Sequence, residues 1–182
     1  SIEFLLWFLP IFLIVYGITP RKYRNLTLLV GSIVFYARGD VRYLPLLMIS
    51  ILCNYFLGLH LAKRSPKTLW RKKLLLILTL GANLAVLLWF KDWGGSAGLP
   101  LGISFYTFQI LSYQIDVYRG EVSREYSFLK FATYVIMFPK LISGPITRYG
   151  DISDSLTERT FTVRGLEDGM KLFILGLAAK VL

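Results

Sequence analysis

The sequence holds one cysteine, Cys53, and one histidine, His60. A lone cysteine excludes an internal disulfide and a cysteine-cluster metal site. Cys53 lies inside an apolar run and reads as a small core hydrophobe. His60 is the only residue of the type most often used as a general base. It falls at the end of an apolar run beside a basic loop, where a solvated cation at a helix C-terminus is the simpler reading. Acidic residues are scarce, 11 against 21 lysines and arginines, which leaves a formal net charge of +10. That surplus raises nucleic acid as a partner, but the basic residues stand in short clusters between apolar runs. This is the charge pattern of membrane proteins, so no nucleic acid partner is expected. No metal-ligand spacing, nucleophile elbow or dinucleotide fingerprint occurs. Gly94-Gly95-Ser96-Ala97-Gly98 is not a phosphate loop, because no Lys-Ser/Thr pair follows it. The first apolar run lacks a basic leader and a small-residue cleavage site, and is expected to be a retained span.

What is abundant is apolar surface: 55% of the 182 residues are hydrophobic, 15% are aromatic, and the mean hydropathy is +0.56. Soluble domains of this length seldom carry so much. The fold class read from the chain is all-α, a polytopic transmembrane helical protein. Six spans are expected near 2–18, 20–37, 43–62, 74–90, 101–118 and 126–141, with a last helix starting near Val163. Thr19-Pro20 reads as an N-cap followed by proline at the first helical position. Arg38-Gly39-Asp40 reads as a short turn. Gly144-Pro145 breaks the chain, and a polar stretch from Thr147 to Thr162 follows. The basic clusters at 21–24 and 63–73 are separated by two spans and therefore share a side. The positive-inside rule puts that side in the cytoplasm and the N-terminus outside. Residues 1–182 form part of one domain. The apolar run from Gly169 to Leu182 reads as a helix met mid-course, so a longer protein is expected.

Two groups of residues depart from a plain membrane-spanning pattern. In the fifth span Tyr106, Gln109, Tyr113 and Asp116 are spaced 3, 4 and 3 apart, which puts them on one helical face. Gln114 flanks them. Polar groups at membrane depth cost free energy unless they face protein, water or a substrate path. The stripe is thus either the polar wall of a passage or a set of hydrogen bonds between helices. Asp116 is placed to pair with Arg119. In the second group, Phe138 to Tyr149, Lys140 sits among two prolines and a glycine. It can meet an anionic group or a freed carbonyl, or extend to an interface. Arg148 reads as an interfacial anchor. Asn83, between Gly81 and Ala85, reads as a hydrogen bond across a close helix contact.

LPLGISFYTFQ (99–109), SYQIDVYRG (112–120) and FPKLISGPITRY (138–149), in this order and spacing, resemble the membrane-bound O-acyltransferases, in particular the alginate O-acetyltransferase branch. SIEFLLWFLPIF at the start, YRNLTLLVGSIVFYARGD (23–40), Arg164-Gly165 and the segment from Gly176 resemble the same family. The resemblance implies a helical funnel through a bacterial cytoplasmic membrane. It implies transfer of an acyl group, expected to be acetyl, from a cytoplasmic donor to a hydroxyl of an extracytoplasmic polysaccharide such as alginate, or to a partner acetyltransferase protein. Acetyl-coenzyme A is the expected donor, with no resident cofactor and no metal. The family's signature histidine stands in a later helix in a Trp- and Arg-rich setting. No such setting occurs here, and His60 does not match it, so no catalytic residue is assigned within this chain. Tyr106, Gln109, Tyr113, Gln114, Asp116, Lys140 and Arg148 are the funnel candidates. A transporter or flippase, with an interrupted helix holding a solute, is an alternative, as is a membrane scaffold for a partner enzyme.

Overall fold

The computed structural model describes residues 4–61, 69–93, 98–141, 147–158 and 162–181. A π-helical turn, Phe4–Phe8, leads into α1 (Leu9–Ile18), and α2 (Arg24–Asp40) and α3 (Leu44–Leu61) follow. Next come α4 (Leu69–Leu88), α5 (Ile103–Arg119), α6 (Phe128–Ile136) and α7 (Phe138–Leu141). The polar α8 (Tyr149–Thr157) and then α9 (Val163–Val181) complete the described chain. The protein is an all-α membrane protein. Two helical stretches, Arg21–Leu61 and Leu69–Asp92, are long and apolar enough to cross a membrane by length and composition.

From α1 to α6, successive helices run in opposite directions. Phe12 of α1 lies against Gly31 of α2, and the Phe8 ring lies 5.6 Å from that of Phe35, tilted by 50°. The helical stretch that begins at Arg21 turns at Asp40, whose backbone leaves the helical region at φ −160° and ψ 81°. α3 then runs back, and α4 reverses again, pairing Asn83 with Asn54 and Phe90 with Tyr43. α5 runs parallel to α3: Tyr43 donates to the Gly98 carbonyl at 3.2 Å, and Gly58 meets Tyr113 and Gln114 further along. α6 runs beside α2, with Thr133 near the Asn25 carbonyl and Phe138 near Ser32. One end of the bundle therefore carries Arg21, Lys22, Arg71 and the 120–127 loop. The other carries Asp40–Tyr43, Phe90 and Leu101.

The core is built around α5, whose Ile103, Tyr106, Ile110, Tyr113 and Val117 are all buried with Phe131, Tyr134, Val135 and Ile136 of α6. α5 starts and ends on glycines in the left-handed region, Gly102 at φ 67° and Gly120 at φ 78°. Gly120 closes the helix through Glu121 N–H to the Asp116 carbonyl at 3.0 Å, a left-handed C-cap. At Gly102 a Cβ would stand 2.5 Å from the Leu141 carbonyl oxygen, so only glycine admits this approach.

Several expectations need correction. Thr19 does not cap α2. It closes α1 instead, with its N–H and Oγ1 both bonded to the Val15 carbonyl. Pro20 is extended at ψ 148° and precedes a single 3₁₀ turn, so α2 starts only at Arg24. The third and fifth segments match their expected ranges within a few residues. α4 begins at Leu69, earlier than the apolar run suggests, because Arg71, Lys72 and Lys73 are good helix formers. The sixth segment is not one helix to Leu141. It breaks at Met137, because Pro139 cannot donate its N–H. Within the polar stretch after Thr147, α8 forms. Cys53 is exposed on α3 and is no core residue. The Gly144-Pro145 break, residues 94–97 of the glycine loop and residues 63–67 of the basic loop lie outside the described residues.

Candidate functional site

The spacing of the polar stripe predicts one face, and Tyr106, Gln109, Tyr113 and Asp116 are all buried on α5, with Gln114 beside them. Gln109 is held by the break in α6–α7. A continuous helix would bond Phe138 N–H to the Tyr134 carbonyl. Here Ser32 Oγ of α2 accepts the Phe138 N–H at 3.1 Å, and Gln109 Nε2 donates to the freed Tyr134 carbonyl at 2.8 Å. Buried backbone groups must be satisfied, and two helices supply the substitutes.

Gln114 faces the other way. Its Nε2 donates to the Asn54 carbonyl at 2.7 Å. Asn54 and Asn83 exchange two amide hydrogen bonds, at 3.0 and 2.9 Å. The hydrogen bond read from Asn83 is therefore present, but Gly81 and Ala85 stand on the exposed face and do not make the contact. Gly58 is the glycine that lets α3 approach α5, since a Cβ there would meet Tyr113 at 3.0 Å.

Towards the basic end three tyrosines pack together. The Tyr149 ring lies 5.2 Å from Tyr113 and 5.1 Å from Tyr134, edge to face in both cases. Tyr134 Oη is placed to donate to the Thr147 carbonyl at 3.0 Å. Tyr113 Oη accepts the Glu125 N–H at 2.9 Å, and Tyr149 donates to Glu125 Oε2. Tyr149 is buried and is the donor of that bond. Glu125 Oε1 also accepts the Ser127 N–H at 2.7 Å.

Lys140 is half-buried and donates to Thr147 Oγ1, level with Tyr134 and Gln109. Arg148 is exposed and lies 3.6 Å from Glu121. Asp116 does not pair with Arg119. The left-handed turn at Gly120 sends Arg119 to Glu121 instead, at 3.6 Å. Among the described residues, Tyr36 Oη, Tyr106 Oη, Gln114 Oε1 and Asp116 Oδ2 are buried with no hydrogen-bond partner. His60 is exposed and bonds through Nδ1 with the Phe56 carbonyl at 2.8 Å, far from this cluster in the chain.

The structure thus gathers Gln109, Tyr113, Asp116, Lys140 and Arg148 around α5, α7 and the start of α8. Tyr106 sits apart, near Tyr36. Ser32, Asn54, Glu125 and Tyr134 were not singled out from the sequence. Asn54 carries the same signal as Asn83, an amide in an apolar run. Ser32 and Tyr134 carry none, because their roles exist only once the break forms. Among the described residues no group of three His, Cys, Asp or Glu side chains could hold a metal ion.

No family model matches the chain, and no solved structure matches it. Its relatives among known proteins are clear. The chain is 39% identical over 98% of its length to the probable alginate O-acetylase AlgI of Pseudomonas putida, and 38% identical to the protein of that name from Pseudomonas aeruginosa. It is 31% identical to a peptidoglycan O-acetyltransferase of Helicobacter pylori, again over 98% of its length. The chain spans only 41%, 38% and 42% of the length of these three relatives, respectively. Over the length it shares with them, the chain is similar to proteins named as alginate O-acetylases.

Proposed function

We propose that the protein acts in O-acetyl transfer, moving an acetyl group from acetyl-coenzyme A on the cytoplasmic side to a hydroxyl of an extracytoplasmic polymer. The observation that carries this reading is the similarity along nearly the whole chain to proteins named as O-acetylases. Alginate and peptidoglycan appear in those names, so a surface polysaccharide is the substrate class we propose, with an accessory acetyltransferase protein as a second acceptor. The membrane is the bacterial cytoplasmic membrane, and the basic end faces the cytoplasm.

Acyl transfer needs a base for the hydroxyl and donors for the developing oxyanion. Most polar side chains of the candidate stripe already have a protein partner. Gln109 and Gln114 hold carbonyls of neighbouring helices, and Tyr113 holds the Glu125 N–H. We therefore assign these three to shaping the site. Lys140, with donors beyond the one used on Thr147, and the unpartnered Tyr106 Oη and Asp116 Oδ2 retain capacity for a ligand. Arg148 anchors the rim. The engaged stripe also suits the scaffold reading, in which this region supports a partner enzyme.

The test is acetyl transfer by the whole protein in membranes. Lys140→Ala and Gln109→Ala should each lower turnover at unchanged protein level. Unchanged turnover in both would remove them from the site. Transfer lost on removing a partner protein but kept in both variants would favour the scaffold.

A further inference from the structure

The path of residues 128–157 points to a topology that counting apolar runs does not give. α6 starts at the basic end, where Phe128 and Phe131 pack on Tyr55 of α3. It rises past Gln109, breaks at Met137, and reaches the opposite end where Leu141 meets Gly102. A spanning helix would leave the chain there. Instead Thr147 is back at the middle of the bundle, beside Tyr134 and Lys140. Tyr149 then stands on Glu125, and Arg148 on Glu121. By the end of α8 the chain is at the foot of α2, where Asn25 Nδ2 donates to the Leu156 carbonyl at 2.8 Å. Lys130 Nζ, near the entry of α6, donates to Thr157 Oγ1 at 3.1 Å. The chain enters and leaves within reach of one side chain.

We propose that residues 128–141 and 147–157 are the two limbs of a re-entrant hairpin that enters and leaves the membrane on the basic side, and that α8 joins the 120–127 loop in one polar surface there. Non-helical backbone at membrane depth is tolerated where protein covers it. The covering here is explicit: Ser32 takes the freed N–H of Phe138, Gln109 takes the freed carbonyl of Tyr134, and the ring of Phe138 is packed among Phe8, Phe12 and Phe35. From Arg148 onward the polar contacts that tie the return limb involve the first turns of α2 and α6 and the 120–127 loop, all at the basic end. The composition of the return limb agrees. α8 carries Asp151, Asp154 and Ser155 exposed, as a segment in water would.

The test reads the side of the membrane directly and does not depend on acetyl transfer. In the whole protein with Cys53→Ala and any cysteine outside residues 1–182 likewise replaced, single cysteines are introduced as Ser155→Cys, Arg71→Cys and Arg42→Cys. Each is labelled with a membrane-impermeant maleimide in intact cells and in inverted vesicles. Arg71→Cys marks the basic side and Arg42→Cys the opposite side. Ser155→Cys is expected to label with Arg71→Cys and to be protected wherever Arg71→Cys is protected. Labelling from the side of Arg42→Cys, or labelling only after detergent, would overturn the hairpin. Asp154→Cys repeats the test should Ser155→Cys fail to accumulate, with the same two readings.

Discussion

α4 and α5 are neighbouring apolar helices of similar length, 20 and 17 residues, and they are built inside out from one another. Among the described residues of α4 only Thr79 and Leu87 are buried, while Leu74, Ile77, Leu78, Leu84, Val86 and Leu88 are exposed. α5 buries ten residues, including Thr107, Gln109, Gln114 and Asp116. In water the apolar face of a helix turns in. Here α4 turns an apolar face outward, and the polar side chains of α5 are buried beside Ile103, Ile110, Leu111 and Val117, because the surroundings are lipid and only protein can satisfy a buried amide. Apolar content alone marks both helices as membrane segments. The inward polar face marks the one on which the rest of the bundle is organised.

The comparison can be broken by substitution. The largest effect is expected at the start of α5. Gly102→Ala forces a side chain into the left-handed region and against the Leu141 carbonyl, at a cost of about 2 kcal/mol or more. Thermal unfolding of the purified protein should show a lower midpoint and reduced yield. Gln109→Leu comes next. It strips the buried Tyr134 carbonyl of its donor, which costs about 1–3 kcal/mol. A third is the coupling of Asn54 and Asn83. A double-mutant cycle to leucine should give about 0.6 kcal/mol, and no more than about 1.7, as for other hydrogen bonds between membrane helices. The smallest is Leu78→Ala on the lipid face of α4, within about 0.5 kcal/mol of the parent. A cost at Leu78 equal to that at Gln109 would mean that α4 is covered by protein where the structure leaves it bare.

Much of this difference was legible in the sequence. The 3-4-3 spacing from Tyr106 to Asp116 is a helical face whatever surrounds it, and the expense of polar groups in lipid predicts that the face turns in. What periodicity could not supply was the partner of each group. Gln109 needs a donor-poor carbonyl, and that carbonyl exists only because Pro139 interrupts α6 against Ser32. The sequence marks an interruption by Pro139, Gly144 and Pro145, yet the apolar run carries the sixth segment on to Leu141, so the break at Met137 falls earlier than the run suggests. Arg119 is three residues from Asp116 and looks like its partner. The glycine at 120 redirects the chain so that Glu121 takes the pair. Cys53 was read as core because its run is apolar, yet in lipid an apolar run has no preference for the inside. Glu125 carries no local signal at all. Its role comes from Tyr149, which returns to it from 24 residues further along.

The most direct measurement is acetylation of a surface polysaccharide by cells in which the whole protein carries either Gln109→Leu or Leu78→Ala, compared at equal protein level. The account predicts that Gln109→Leu lowers acetylation about tenfold or more, the equivalent of roughly 1.4 kcal/mol at the transition state, while Leu78→Ala stays within about twofold of the parent. Equal activity of the two variants would contradict it, because the inward polar face of α5 would then have no more to do with transfer than the lipid-facing side of α4.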